Sequence, residues 1–136
     1  MAVKLTKDET EFVKSQNVGH IATVDNEGTP HNVPVCPILD GGKVYFASEM
    51  NAKKVKNIKT NPKVAIVFDL YSDSWKKLRG VMLQCEARIV AQPEFKRMRT
   101  KLYSKYPQYE KEAPLEPEDS VIVELDPAKK FSWGFD

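Results

Sequence analysis

The densest chemistry in this 136-residue chain lies in one run, Phe46-Ala47-Ser48-Glu49-Met50-Asn51-Ala52-Lys53-Lys54. The pattern predicts a strand ending near Ala47 and a helix beginning at Asn51. A helix N-terminus presents unpaired N–H groups and the positive end of a dipole, so its first turn ordinarily carries acids. Here it carries Lys53 and Lys54. The two ammonium groups, the helix amides and the Ser48 hydroxyl form a donor set for a phosphate-like anion. A solvated basic face would use the same residues.

A second candidate is the segment Pro30-His31-Asn32-Val33-Pro34-Val35-Cys36-Pro37. Proline cannot donate to a ladder, so this strand must be an edge, or bulged, or both. Its unpaired main-chain groups could bond the rim of a planar heterocycle. Protection of an edge against aggregation accounts for the same prolines. His20 and His31 have no nucleophile beside them, and the chain holds no GxSxG, HExxH or P-loop motif. Both read as ordinary strand residues. Cys36 and Cys85 fall in no CxxC and read as buried, reduced thiols. With two histidines, a structural zinc or metal-hydrolase site is not expected. Trp75 and Trp133 read as core or interface anchors. The segment Glu94–Lys105, with Lys96, Arg97, Arg99, Lys101 and Lys105, reads as a solvated face or a contact for acidic ligands.

These residues need a scaffold. Thr6 to Asn17 predicts a helix, with Thr6 as cap and Glu9 at the capping-box position. His20 to Val24 is a strand, Asp25-Asn26-Glu27-Gly28 a turn, and Thr29 to Leu39 a second extended segment. Asp40-Gly41-Gly42 turns the chain into the return strand Lys43–Ala47. These pieces suggest an antiparallel meander. Asn51 to Thr60 is a helix capped by Asn51, with Val55 and Ile58 inward and Asn61-Pro62 ending it. Lys63 to Leu70 and Leu78 to Ala91 are strands, joined by the loop Tyr71–Lys77. Gly80 marks a bulge or a close approach. Pro93 opens a helix to about Lys105 with Phe95, Met98 and Leu102 on one face. Tyr106 to Pro117 is a surface connection, Ser120 to Leu125 the last strand, and Lys129 to Phe135 an aromatic tail. Six strands and three helices predict a mainly β fold, a small antiparallel β-barrel with helices on its ends, as a single domain over residues 1–136.

Composition narrows the class. Hydrophobic residues make up 41% and charged residues 29%, the balance of a soluble globular domain. No apolar run approaches the ~20 residues of a membrane-spanning helix. The stretch Met1–Asp8 is too polar for a signal peptide, so the expectation is a cytoplasmic protein without a membrane partner. The net charge is +2, from 21 basic and 19 acidic residues, which argues against a nucleic-acid partner.

The order of these pieces resembles the FMN-binding split β-barrel family related to pyridoxamine 5′-phosphate oxidase. The resemblance covers nearly the whole chain. It is carried by Ile21-Ala22-Thr23-Val24-Asp25, Gly28-Thr29-Pro30 and Val44-Tyr45-Phe46-Ala47-Ser48. It continues through Lys53-Lys54-Val55-Lys56-Asn57-Ile58, Asn61-Pro62-Lys63-Val64-Ala65 and Leu78-Arg79-Gly80-Val81. It implies a six-stranded split barrel whose flavin phosphate is held by Lys53 and Lys54. Ala47 and Ser48 would touch the phosphate and ribityl chain, and Asn57 is a polar position one turn on. Val33, Pro34 and Val35 would meet the isoalloxazine edge, and Gly80 lies where some relatives place a glutamine. The resemblance also implies a homodimer with flavin between the subunits, Trp133 reaching the ring from the partner chain. Ser132-Trp133-Gly134-Phe135-Asp136 lacks the Arg/His constellation of the oxidases proper, and Val33 replaces a basic residue that often contacts flavin. Vitamin-B6 oxidation is therefore not implied. The expected function is FMN-dependent hydride transfer with an unidentified small-molecule substrate. The alternatives are a non-catalytic flavin-binding or sensing module, or a split barrel for the deazaflavin F420 or haem.

Overall fold

The computed structural model describes residues 3–136; Met1 and Ala2, at the head of the polar N-terminal stretch, lie outside the described residues. Among the described residues seven strands make one sheet: β1 (Gly19–Val24), β2 (Pro30–Val35), β3 (Ile38–Asp40), β4 (Lys43–Glu49), β5 (Lys63–Leu70), β6 (Arg79–Ile89) and β7 (Ser120–Trp133). They lie in the order β2-β1-β5-β6-β7-β4-β3. Every neighbouring pair is antiparallel. The helices are α1 (Lys7–Ser15), α2 (Lys53–Thr60), α3 (Glu94–Lys105) and α4 (Gln108–Glu112).

Alternation along the strands turns one face of the sheet inward. Ile21, Val35, Phe46, Ile66, Phe68, Leu83 and Leu125, from six different strands, share one buried cluster. A flat sheet could not bring β2 and β4 side chains together from opposite ends of the strand order, so the sheet curls. Its edges β2 and β3 are not bonded to each other. The result is a split barrel, mainly β, with helices packed against it.

The helices close what the strands leave open. Thr6 caps α1 by accepting from the Glu9 amide, and Glu9 accepts from the Thr6 amide in return. Phe12 and Val13 of α1 and Ile58 of α2 join the barrel cluster. Helix α3 covers the outer face of β3, β4 and β7: Phe95, Met98 and Leu102 meet Ile38, Tyr45 and Ile122 in a second cluster. Each such side chain, withdrawn from water, contributes roughly 1.5–3 kcal/mol.

Several expectations need correction. The strand count is seven, not six, because Thr29–Leu39 is not one strand. Cys36-Pro37 interrupts it, and β2 and β3 lie at opposite edges of the sheet. The meander therefore resolves into two hairpins, β1–β2 and β3–β4. The cap of α2 is Ala52, with no side-chain bond, rather than Asn51. The connection after α3 contains α4, and the aromatic tail extends β7 to Trp133. Gly80 is a close approach; the irregularity in β6 lies between Gln84 and Cys85. Cys36 is half-buried rather than buried, while Cys85 is buried. Burial, with Asp126 adding to it, pushes the Cys85 thiol up to about 12.

Candidate functional site

The first turn of α2 has no side-chain cap and no acid. The next amides along, those of Val55 and Lys56, both bond the Ala52 carbonyl, while the amides of Lys53 and Lys54 find no acceptor among the described residues. Two orphan N–H groups and the positive end of a helix dipole thus open at the turn that carries Lys53 and Lys54, a set of groups that could hold a phosphate.

The two lysines are not equivalent. Lys53 is exposed and lies 3.8 Å from the Asp25 carboxylate. Lys54 precedes Ile58 by four residues and so lies on the same helix face, one turn nearer the N-terminus. It is half-buried and makes no ion pair among the described residues. Asp25 heads the β1–β2 turn, where its Oδ1 accepts from the amides of Glu27 and Thr29, each at 2.9 Å. Gly28 supplies the positive φ of 80° that this turn requires. The Thr29 amide chiefly, then the Glu27 amide and Lys53, hold the Asp25 carboxyl below its ordinary range. Asp25, which pairs with Lys53, is not among the residues singled out from the sequence. Its signal was the Asx-turn pattern of an Asp two to four residues before free amides.

Asn57 is buried, and its Nδ2 donates to Thr23 Oγ1 at 3.0 Å. That bond docks α2 onto β1 and aims the N-terminus at the β1–β2 turn. Ser48 is buried near the end of β4, and its hydroxyl donates to the Glu49 carbonyl at 3.0 Å. Ala47, one residue earlier, faces the α3 cluster. Both line a cleft of about 560 Å³ between the end of β4 and the α4–β7 connection, with Tyr109, Leu115 and Glu118. The lysines of α2 are not part of that cleft.

Among the described residues strand β2 pairs only with β1, Val33 opposite Ile21, Pro34 opposite His20 and Val35 opposite Gly19. It starts beside Asp25, at the lysine end, and runs away from it. Val33 and Val35 pack on the barrel cluster, while Pro34 is exposed. Gly80 and Trp133 sit directly opposite each other on β6 and β7. A Cβ on Gly80 would lie 2.1 Å from Trp133 Cζ2, so only glycine lets the indole lie across the strand. Gly80 also pairs with Asp69 near the far end of β5. The structure thus gathers Lys53, Lys54 and the start of β2 at one end, with Gly80 and Trp133 toward the other.

The basic residues of α3 are largely engaged within the fold. Lys101 reaches Asp40 at 2.7 Å, and Arg99 donates to the Leu115 carbonyl. Lys105 donates to the carbonyls of Gln16 and Pro37. Arg97 lies 3.8 Å from Glu94.

The sequence model described as pyridoxamine 5′-phosphate oxidase matches residues 5–134. The chain belongs to this family. Among the relatives of this pyridoxamine 5′-phosphate oxidase family member is a 5a,11a-dehydrotetracycline/5a,11a-dehydrooxytetracycline reductase of Streptomyces rimosus, 35% identical over 68 residues. That match spans 47% of this chain and 48% of the relative, so the chain matches about half the length of that protein. A solved F420 reductase is 26% identical, covers 93% of this chain and 98% of its own, and superposes with a TM-score of 0.75. A haem-binding protein of Mycobacterium smegmatis shares the fold at 20% identity and a TM-score of 0.80, over 97% of this chain and 55% of its own.

Proposed function

We propose that this chain is a flavin-dependent oxidoreductase that binds FMN and acts on a small-molecule substrate. The observation that carries this reading is the first turn of α2, with two unpaired amides, Lys53 and Lys54. Those groups would hold the phosphate. The backbone of Val33–Val35 would meet the ring edge, and the main chain at Ala47–Ser48, whose side chains line the neighbouring cleft, the chain between. Bound flavin supplies the redox chemistry, and the protein binds and orients it. That division accounts for a family member with no protein-based nucleophile or acid–base motif.

The working unit in this reading is a homodimer with flavin between the subunits. Strand β5 is apolar on both faces, Val64-Ala65-Ile66-Val67-Phe68. Val64, Ile66 and Phe68 fill the barrel, whereas Ala65 and Val67 face outward, Ala65 level with Ala22 and Gln84 and Val67 with His20 and Met82. Strands that are apolar on both faces belong in sheets covered on both sides. A second copy of this chain would provide the cover and complete a ligand pocket that one chain leaves open. Among the aromatics outside the barrel strands' inward face, Tyr106 is buried within its own chain and Tyr103 and Phe135 pack against the cores, while Trp75 and Phe131 stand exposed and are free for such a contact.

The second reading is the deazaflavin F420. Lys56 and Lys59 extend the basic face of α2 beyond what one phosphate needs, and the F420 reductase matches nearly end to end. The absorption spectrum of the purified protein tests both. A flavin band supports FMN, a deazaflavin band supports F420, and a Soret band redirects the site to haem. A colourless protein that takes up neither flavin removes both readings. Rapid reduction by a reduced nicotinamide and reoxidation by an acceptor separates an enzyme from a flavin-sensing module.

A further inference from the structure

Alternation along β1 sends Ile21 and Thr23 into the barrel and leaves His20 and Ala22 on the outer face of the sheet. The register carries that face across five strands. Pro34, His20, Val67, Met82 and Phe131 stand level with one another, on β2, β1, β5, β6 and β7. Four of these side chains are apolar, and His20 is the one titratable group on the rung. The adjoining outward rung is Asn32, Ala22, Ala65, Gln84 and Lys129. In the other direction Asp69, two residues beyond Val67 on β5, pairs with Gly80. The charged groups nearest His20 on this face are therefore Asp69, which is exposed, and Lys129, three strands away. On its own strand His20 is flanked by Val18 and Ala22, and on β2 by Asn32 and Pro34, none of them charged. Helix α2 docks on the opposite side of β1, through Asn57 and Thr23.

Imidazole is the side chain whose ordinary titration falls between pH 5 and 8. The chain has two histidines, so charge changes in that range belong chiefly to them. His31 pairs with Thr23 and shares the inner face. His20 alone stands on the outer one. In a single chain it is half-buried, and water reaches the ring in either protonation state. A second copy laid on this face changes its surroundings. An isologous contact buries the same patch on both chains, so two His20 rings leave water together. Withdrawing a charged ring from water without a partner is costly, whereas a neutral ring among apolar side chains is far less so.

We propose that His20 makes the pairing of two copies depend on pH. The subunits hold together with both His20 rings neutral and separate when the rings take up protons. This deepens the homodimer reading and rests on it, since a second copy must cover the face that carries His20. Because that reading also places flavin between the subunits, separation opens the flavin pocket. The size of the effect follows from linkage. For an imidazole of ordinary pKa ~6.5, each ring that must stay neutral weakens pairing about elevenfold at pH 5.5 and hardly at pH 7.5. Two rings make the dimer about a hundredfold weaker at the lower pH. Glu9, with its pKa lowered to about 2, stays ionised throughout, so its network is intact at both pH values.

The test is sedimentation equilibrium of the full chain as purified, at pH 7.5 and pH 5.5, with far-UV circular dichroism at each. The parent dissociates about a hundredfold more readily at pH 5.5, with unchanged secondary structure. His20→Gln and His20→Leu, which cannot take the proton, pair as well at pH 5.5 as at pH 7.5. His31→Gln keeps the dependence of the parent. A parent whose dissociation constant changes by less than about threefold overturns the proposal and leaves the dimer reading standing. A parent that is monomeric at both pH values removes the dimer reading, and the switch with it. Tighter pairing at pH 5.5 also overturns the proposal, because an acid of the facing copy then meets the charged ring. So does pairing that stays pH-dependent, or is lost at pH 7.5, in both His20 variants.

Discussion

Replacing Glu9 with Gln tests how the fold holds the aromatic end of β7. Glu9 is 3% exposed, yet its carboxylate accepts from the Thr6 amide at 2.8 Å, Lys130 Nζ at 2.7 Å and Ser132 Oγ at 2.6 Å. Burial alone would raise its pKa. The Lys130 and Ser132 bonds, the Thr6 amide and the Lys130 charge outweigh burial and lower it from 4.5 to about 2. By linkage this difference is worth about 3 kcal/mol at neutral pH. The folded pKa is the lower one, so the stabilisation is present above pH 4.5 and is lost as pH falls toward 2. On the same relation it drops to about 1.4 kcal/mol near pH 3 and to a few tenths near pH 2. Glu9→Gln keeps the shape and removes the charge. Its expected cost is about 2–3 kcal/mol at pH 7, measured by urea unfolding, with the gap from the parent shrinking to about half at pH 3. Lys130 and Ser132 flank Phe131 and adjoin Trp133, so the emission of Trp133 should shift to the red in the same variant. A variant as stable as the parent at pH 7, or a gap that does not narrow at pH 3, refutes the assignment of this network as the anchor of β7.

Three further outcomes follow from the site. Lys54→Glu should lower FMN affinity by about thirtyfold or more, the ~2 kcal/mol of a charge-assisted bond, with far-UV circular dichroism unchanged. Lys53→Glu should cost less, since Asp25 already draws on that charge; flavin fluorescence titration reads both, and parental affinity in both variants moves the phosphate elsewhere. Gly80→Ala places a methyl against the Trp133 indole, so denaturant unfolding should show a loss of about 1–3 kcal/mol, together with a changed Trp emission. Unaltered emission would mean that the ring does not lie across Gly80. Asn57→Ala leaves the Thr23 hydroxyl without its donor and should cost about 1–3 kcal/mol in thermal or denaturant melts. Thr23→Val in the Asn57→Ala background should add little, and a fully additive loss would argue against the bond.

Signals that act over a few residues are legible in the amino-acid sequence. Thr6 and Glu9 form their capping box because both partners lie within one turn of each other. Asp40-Gly41-Gly42 makes its hairpin because Gly41 and Gly42 take positive φ. Lys53 and Lys54 stand out because they contradict the dipole of the helix they open. What escaped depends on distant partners. Nothing around Cys36-Pro37 says that the chain leaves one sheet edge there and reaches the other. That crossing is held by Lys105 and Tyr106, which both donate to the Pro37 carbonyl from about 70 residues away. Asn57 reads as a polar position one helical turn beyond the lysines, and only its contact with Thr23 reveals a docking bond. Glu124 lies in an ordinary apolar strand pattern, but Arg88 and Tyr45 reach it from two other strands. The cross-strand registry of Gly80 and Trp133, more than 50 residues apart, is equally invisible in the sequence, although each is a candidate alone.

The position of β7 has a consequence for how the molecule assembles. Without β7, the strand order separates into two sheets, β2-β1-β5-β6 and β4-β3, with nothing bonded between them. The last strand formed is the one that joins them, pairing with β6 over ten rungs and with β4 over six. A growing chain therefore carries two unpaired inner edges until residues 120–133 have been made, and such edges template association with other chains. Closure also waits on pairings of long sequence separation, which are slow to form. During synthesis, α1, α2 and the two hairpins can form early, but the barrel closes late and in one step. Loss of β7 to a protease or a premature stop would not trim the barrel. It would return the protein to two sheets with exposed apolar faces.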